Sequence, residues 1–168
     1  VWIPCVLIGV WAVGAGIQVP EGKENAVLAK MVEQGDGGRI INTSSLAGLL
    51  GNYGQTNYST AKAGVAGFTR TLAKEARKAK VTVNAIAPVA KTRMTEDIDM
   101  VPEDMVPEQI SRMALFLASE QGAGCTGRTF GVHGQQIFEY QMHQTPGVTK
   151  EGTDFWTVDE IAERFVDI

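Results

Sequence analysis

The sequence predicts an α/β fold built on parallel strands, and three features carry that reading. Residues 38–43 (GRIINT) form a short β-branched run behind a Gly-Gly break. Residues 81–87 (VTVNAIA) are apolar almost throughout, as in a strand buried on both faces. Around these two runs, apolar residues recur at three- and four-residue steps, the mark of helices that cover a sheet with one side.

Length and charge narrow the possibilities. A chain of 168 residues suggests one domain with a substantial core. Fifteen Lys and Arg stand against 19 Asp and Glu, with no cluster of basic residues, which argues against a nucleic-acid surface. Cys5 and Cys125 show neither a disulfide framework nor metal spacing, so a reducing, cytoplasmic compartment is expected. His133 and His143 are too isolated to suggest a metal, and no metal is expected.

Residues 1–23 are an atypical apolar segment. The first 20 residues carry no charge, which is long enough to span a bilayer. Pro4, Gly9, Gly14, Gly16 and Pro20 interrupt the run, and no basic stretch precedes it. A buried strand or hairpin is therefore expected rather than a membrane segment or a signal peptide. The glycine spacing G-x-x-x-x-G-x-G does not match a dinucleotide phosphate loop, and none is expected here. From 24 to 34 (ENAVLAKMVEQ), Val27, Leu28, Met31 and Val32 give an amphipathic helix, stopped by Gly35-Asp36-Gly37-Gly38.

Ser44 and Ser45 fall where the 38–43 strand ends, and chemistry in open α/β sheets collects at the carboxyl ends of strands. A glycine-rich loop leads to a helix on which Tyr58 and Lys62 are four residues apart, hence on one face. A free phenol titrates near pH 10. An ammonium about 4 Å away, at an effective dielectric of about 20, contributes roughly 4 kcal/mol, or about three pKa units. Such a pair can exchange a proton with an alcohol or carbonyl oxygen near neutral pH, and a hydroxyl at Ser45 would hold that oxygen in place.

Ser45, then Tyr58 thirteen positions on, then Lys62 resembles the Ser-Tyr-x-x-x-Lys signature of the short-chain dehydrogenase/reductase family. A Y-x-x-x-K alone is weak; joined to INTSS, GNYGQ and the downstream VNAIAP it is specific. The resemblance covers the chain from about Glu24 onward. It implies a partial Rossmann-type, doubly wound parallel sheet with the N-terminal half of the usual fold missing. It also implies hydride transfer between NAD or NADP and a secondary alcohol or ketone. Tyr58 would be the general acid/base, Lys62 would assist it and hold the nicotinamide ribose, and Ser45 would orient the carbonyl. Counting back to the family's usual relay asparagine reaches Gln18, and Asn25 is out of register.

Thr56 and Asn57 are expected to cap the Tyr58 helix, with Ala61, Val65, Phe68, Leu72 and Ala76 as its buried stripe. Ala63, Ala66 and Gly67 mark its other side. The resemblance implies that this side meets a second copy in a homodimer or homotetramer; packing within the chain is the alternative.

Pro88 is expected to end the second strand. The family resemblance assigns cofactor contacts to Pro88, Val89 and Thr92, with Tyr58 and Lys62. The run Pro88-Val-Ala-Lys-Thr92-Arg-Met-Thr95 is similar to the dehydrogenase module of peroxisomal multifunctional enzymes and their bacterial relatives, which implies a 3-hydroxyacyl or 3-oxoacyl thioester as substrate. Met94, Met100 and Met105 either line an acyl pocket or cover the core as loop residues. A helix follows over 107–117, with Pro107 in its first turn and Ile110, Met113, Leu115, Phe116 and Leu117 as its apolar side.

Residues 125–134 read as a last strand, closing a catalytic portion over 24–134. A C-terminal extension occupies 135–168, with a capped helix from Thr157 and Ile161, Phe165 and Val166 on its apolar side. That helix is expected to cover the neighbouring core or a dimer mate. The alternative to an active oxidoreductase is a catalytically silent domain that serves as a dimerisation partner.

Overall fold

Five strands join into one sheet in sequential order, β1 (Val6–Gly9), β2 (Gly38–Thr43), β3 (Val81–Val89), β4 (Thr129–His133) and β5 (Gln136–Tyr140). The computed structural model describes residues 6–9, 26–93, 95 and 101–168. β1 to β4 run parallel and β5 is antiparallel to β4. β1 lies within the uncharged opening segment, as the strand reading expects. Gly14, Gly16, Gln18 and Asn25 lie outside the described residues, as do Met94 and Met100.

Helices lie on both faces, as the doubly wound reading requires. On one face, α1 (Ala26–Gln34) and α3 (Thr56–Glu75) bury Met31, Leu72 and Ala73 against Ile40, Val81 and Val83. On the other, α4 (Pro107–Ala118) buries Met113 and Leu117 against Ile41, Ile86, Phe130 and Val132. Ile40 and Ile41 reach opposite layers because successive strand residues point to opposite faces. The strand order never reverses, yet α3 and α4 lie on different faces. The β2–α3–β3 and β3–α4–β4 crossovers therefore have opposite hands, against the usual right-handed rule for one of them. The helices thus change side at β3.

Several expectations need correction. α3 starts at Thr56 with Gln55 as N-cap and no side-chain bond from that cap; Thr56 is the first helical residue, while the Asn57 Oδ1 accepts from the Tyr58 amide at 2.8 Å and so satisfies one first-turn donor from inside the helix. Its buried residues are Lys62, Val65, Ala66, Thr69, Leu72 and Ala73, running on to Ala76. Phe68 is exposed, and Ala66 belongs to the buried side rather than the outer one. In α1, Val32 faces solvent while Met31 takes the core position. In α4, Leu115 and Phe116 are exposed, and Ala114 joins the expected Ile110 beside the buried Met113 and Leu117.

Pro88 does not end β3; it sits inside it, paired with Val132. The alternation of backbone bonds explains its tolerance. Val83 and Ala85 bond toward the β4 side, and Ile86 bonds Ser44 on the β2 side. Position 88 therefore faces the β2 side, where β2 has already ended and no N–H is needed.

The sheet also continues past Gly134. That glycine takes φ +59° at the first position of a two-residue turn, and β5 folds back on β4 with Gln136 opposite His133. Beyond Tyr140, helix α5 (Val158–Arg164) forms behind a complete capping box between Thr157 and Glu160. Its apolar residues Ile161, Phe165 and Val166 are exposed, so it does not cover the core of its own chain.

Candidate active site

Lys62 is held at the carboxyl end of β2 by three separate contacts. Its ammonium donates to the Thr43 carbonyl at 2.9 Å. Its own carbonyl accepts from the buried Ser44 hydroxyl at 2.9 Å. Its backbone lies against Gly48 of α2 (Leu46–Leu50), where a Cβ would come within 2.6 Å of the Lys62 and Ala63 main chain. Glycine at 48 is what lets α2 and α3 approach this closely. As a result, a lysine that is 9 % exposed carries its charge at a fixed point beside the strand end.

Tyr58 stands one turn earlier on the same face of α3. The Lys62 Nζ lies 5.7 Å from the centre of its ring, within cation–π range. The ring is 44 % exposed, open to an incoming molecule. Ser45 follows directly on Ser44 and is the N-cap of α2, its Oγ accepting from the Ala47 amide at 3.3 Å. That bond uses an oxygen lone pair and leaves the hydroxyl hydrogen to be donated. Strand end, short helix and α3 thus bring Ser45, Tyr58 and Lys62 to one edge of the sheet.

β3 supplies the neighbouring surface. It overshoots β2 by three residues, since the last β2–β3 pair is Thr43 with Ile86. The Pro88 carbonyl points to the edge so exposed, without a ladder partner among the described residues. Val89 is paired with His133 at the end of β4. Thr92 lies farther out in a turn organised by Thr95, whose hydroxyl donates to the Ala90 carbonyl and accepts from the Thr92 amide, each at 2.8 Å.

His133 closes this edge. Burial pushes its imidazole below the ordinary value, partly offset by a hydrogen bond to the backbone of Ala87. The ring meets Phe138 edge-on at 5.0 Å. Met105, the described one of the three methionines considered for a pocket, packs beside Gly134. No group of metal-ligating side chains occurs among the described residues. No helix among them is long and apolar enough to cross a membrane.

The sequence places Ser44 at the strand end, but not its bond to the Lys62 carbonyl, nor the parts played by Thr43 and Gly48. The tandem serines and a small residue one turn past Ser45 were the available signals. A side chain's bond to a carbonyl 18 residues away leaves no local pattern.

Residues 24–101 match the family model described as short chain dehydrogenase. The chain belongs to the short-chain dehydrogenase/reductase family. It is 38 % identical over 132 residues to the peroxisomal hydratase-dehydrogenase-epimerase of Neurospora crassa, covering 76 % of this chain and 14 % of that protein. It is 43 % identical over 120 residues to a 3-oxoacyl-[acyl-carrier-protein] reductase of Synechocystis, covering 66 % and 49 %. The crystal structure of a short chain dehydrogenase from Mycobacterium avium superposes with a TM-score of 0.66 at 43 % identity, covering 77 % of this chain and 44 % of that one. The chain thus spans less than half the length of each of these short-chain dehydrogenase/reductase relatives. The match takes in Ser45, Tyr58, Lys62, Pro88, Val89 and Thr92.

Proposed function

We propose that this chain carries the proton-transfer site of an oxidoreductase that interconverts a secondary alcohol and a ketone, with NAD or NADP as partner. The observation that most supports it is the buried Lys62 ammonium, anchored on the Thr43 carbonyl and lying over the exposed Tyr58 ring. A lysine kept this close to a tyrosine at a strand end has little structural purpose, since it costs desolvation and side-chain entropy.

Tyr58 Oη gives a proton to the carbonyl oxygen during reduction and takes it back during oxidation. The Ser45 hydroxyl donates to the same oxygen and fixes its place. Lys62 puts positive charge beside the phenol where negative charge develops. Only one of its three donors is committed to Thr43, so the others are available to ribose hydroxyls. A dinucleotide held here would supply or accept the hydride. The Pro88 carbonyl on the open edge of β3 would hold its carboxamide, with Val89 and Thr92 as further contacts. The chain leaves β2 and β3 toward opposite faces, which opens a crevice at their carboxyl ends and supports a ligand site there.

The substrate class is a 3-oxoacyl or 3-hydroxyacyl thioester. The name of the Synechocystis relative, a 3-oxoacyl-[acyl-carrier-protein] reductase, and the Met105–Gly134 contact beside the site support it. Ala63 and Gly64 are exposed, and a Cβ at Gly64 or Gly67 would meet nothing within 4 Å. Two copies pair through this side of α3 as a homodimer. Fluorescence titration of the full chain with NADH and NADPH tests the cofactor assignment. Saturation that Lys62→Met weakens is the expected result; no saturable binding of either dinucleotide contradicts it.

A further inference from the structure

The amino-terminal ends of the strands, opposite the ends that carry Lys62, hold a concavity. It has a volume of about 400 Å³ and is lined by Asp36, Arg39, Arg77, Lys80, Thr82 and Glu120, among others. Arg39 and Thr82 are direct cross-strand neighbours at the start of β2 and β3. Both are more than nine-tenths buried, at 6 % and 8 % exposed.

Each of the two keeps an unmet bonding group. Arg39 Nη1 donates to the Gly38 carbonyl at 3.0 Å, and Nη2 lies 3.5 Å from a Glu120 oxygen. Arg39 Nε and the Thr82 hydroxyl, both shielded from solvent, have no hydrogen-bond partner. Buried donors without acceptors are uncommon and costly, and a charged one more so. The Glu120 side chain is 79 % exposed and only loosely engaged, so it does not fill the need.

The missing acceptor has a definite chemistry. Nε and Nη2 form the side-on edge of a guanidinium, whose two parallel N–H groups match two oxygens of an oxyanion. The Thr82 hydroxyl adds a donor. Arg77 and Lys80 bring the lining to three cations against two carboxylates, Asp36 and Glu120. A metal cation would leave these buried donors unmet.

We propose that this concavity is a seat for a phosphate-type oxyanion, either inorganic phosphate or the phosphate of a monoester. The anion lies side-on to Arg39 with the Glu120 carboxylate turned out to solvent. Arg77 and Lys80 supply attraction from the rim. The seat is remote from Tyr58, so its occupant acts as an anchor or effector rather than as a reactant.

The Arg39 Nε–H resonance of the full chain reads this directly. It is followed by ¹H–¹⁵N spectroscopy during titration with inorganic phosphate, with glycerol 3-phosphate and with chloride, all at one ionic strength. The expected result is a saturable shift with a phosphate species and none with chloride. Tighter saturation by glycerol 3-phosphate assigns the seat to a monoester, and tighter saturation by inorganic phosphate assigns it to the free ion. Glu120→Gln removes the competing carboxylate and tightens binding several-fold. Lys80→Gln, at an exposed position, weakens it several-fold and leaves the fold intact. Phosphate shifts no larger than those in chloride overturn the proposal, as does an affinity that neither variant changes.

Discussion

The Ser44 hydroxyl donates to the Lys62 carbonyl at 2.9 Å, tying the end of β2 to the middle of α3. Two residues with no direct part in the proposed chemistry, Ser44 and Gly48, thereby decide where the Lys62 ammonium sits. Ser44 grips the main chain from the strand, and Gly48 lets α2 close on it from the side.

Replacing Gly48 by alanine drives a methyl group into the Lys62 and Ala63 backbone, which cannot swing away as a side-chain tip would. The expected cost is about 1–3 kcal/mol of stability, from overpacking at a close contact. Ser44→Ala removes one buried bond and costs about 1 kcal/mol. Urea denaturation checks both; Gly48→Ala should move the midpoint more.

His133 makes the fold sensitive to mild acid. Its folded-state imidazole titrates below its unfolded value of about 6.5, because burial disfavours the charged ring. Over that window the unfolded chain binds more protons, so stability falls as pH drops below about 6.5. Urea midpoints compared at about pH 7 and about pH 5.5 read this slope. His133→Gln should flatten it.

In the C-terminal arm, the side-chain bond from Lys150 is the main cause that holds the Glu160 carboxyl at about 2, helped by backbone and hydroxyl bonds from Thr157. A carboxylate with a lowered folded value contributes its support above the ordinary carboxylate range and loses it as pH falls through about 2. A ¹³C titration of the Glu160 carboxyl should therefore show a midpoint well below the usual range. Lys150→Met should raise it and loosen α5.

Much of the fold was legible in advance where local pattern and tertiary role agree. The strand at 38–43, the helix opening with Pro107 and the Thr157 capping box are such cases. β5 was not, because QIFEY gains its strand identity from pairing with β4 rather than from its own period. Phe68 and Leu115 misled for a different reason. Apolar residues at helical spacing mark a buried face only when a neighbour covers it, and these two point away from the sheet. At the site, Tyr58 and Lys62 were visible because an i, i+4 pair is written in the sequence itself. The Thr43 carbonyl and the Ser44 anchor belong to another element and became visible only with the packing of α3 on β2.

Proton transfer by the Tyr58 phenol at a substrate oxygen is read most directly by dinucleotide-coupled reduction of a 3-oxoacyl thioester, comparing the full chain with Tyr58→Phe. The expected result is turnover by the unaltered chain and a loss of roughly 10²- to 10⁴-fold in kcat on removing that single hydroxyl, with the fold unchanged. A Tyr58→Phe protein that reduces the thioester at the original rate would contradict it, as would an unaltered chain that binds dinucleotide yet turns over no carbonyl substrate.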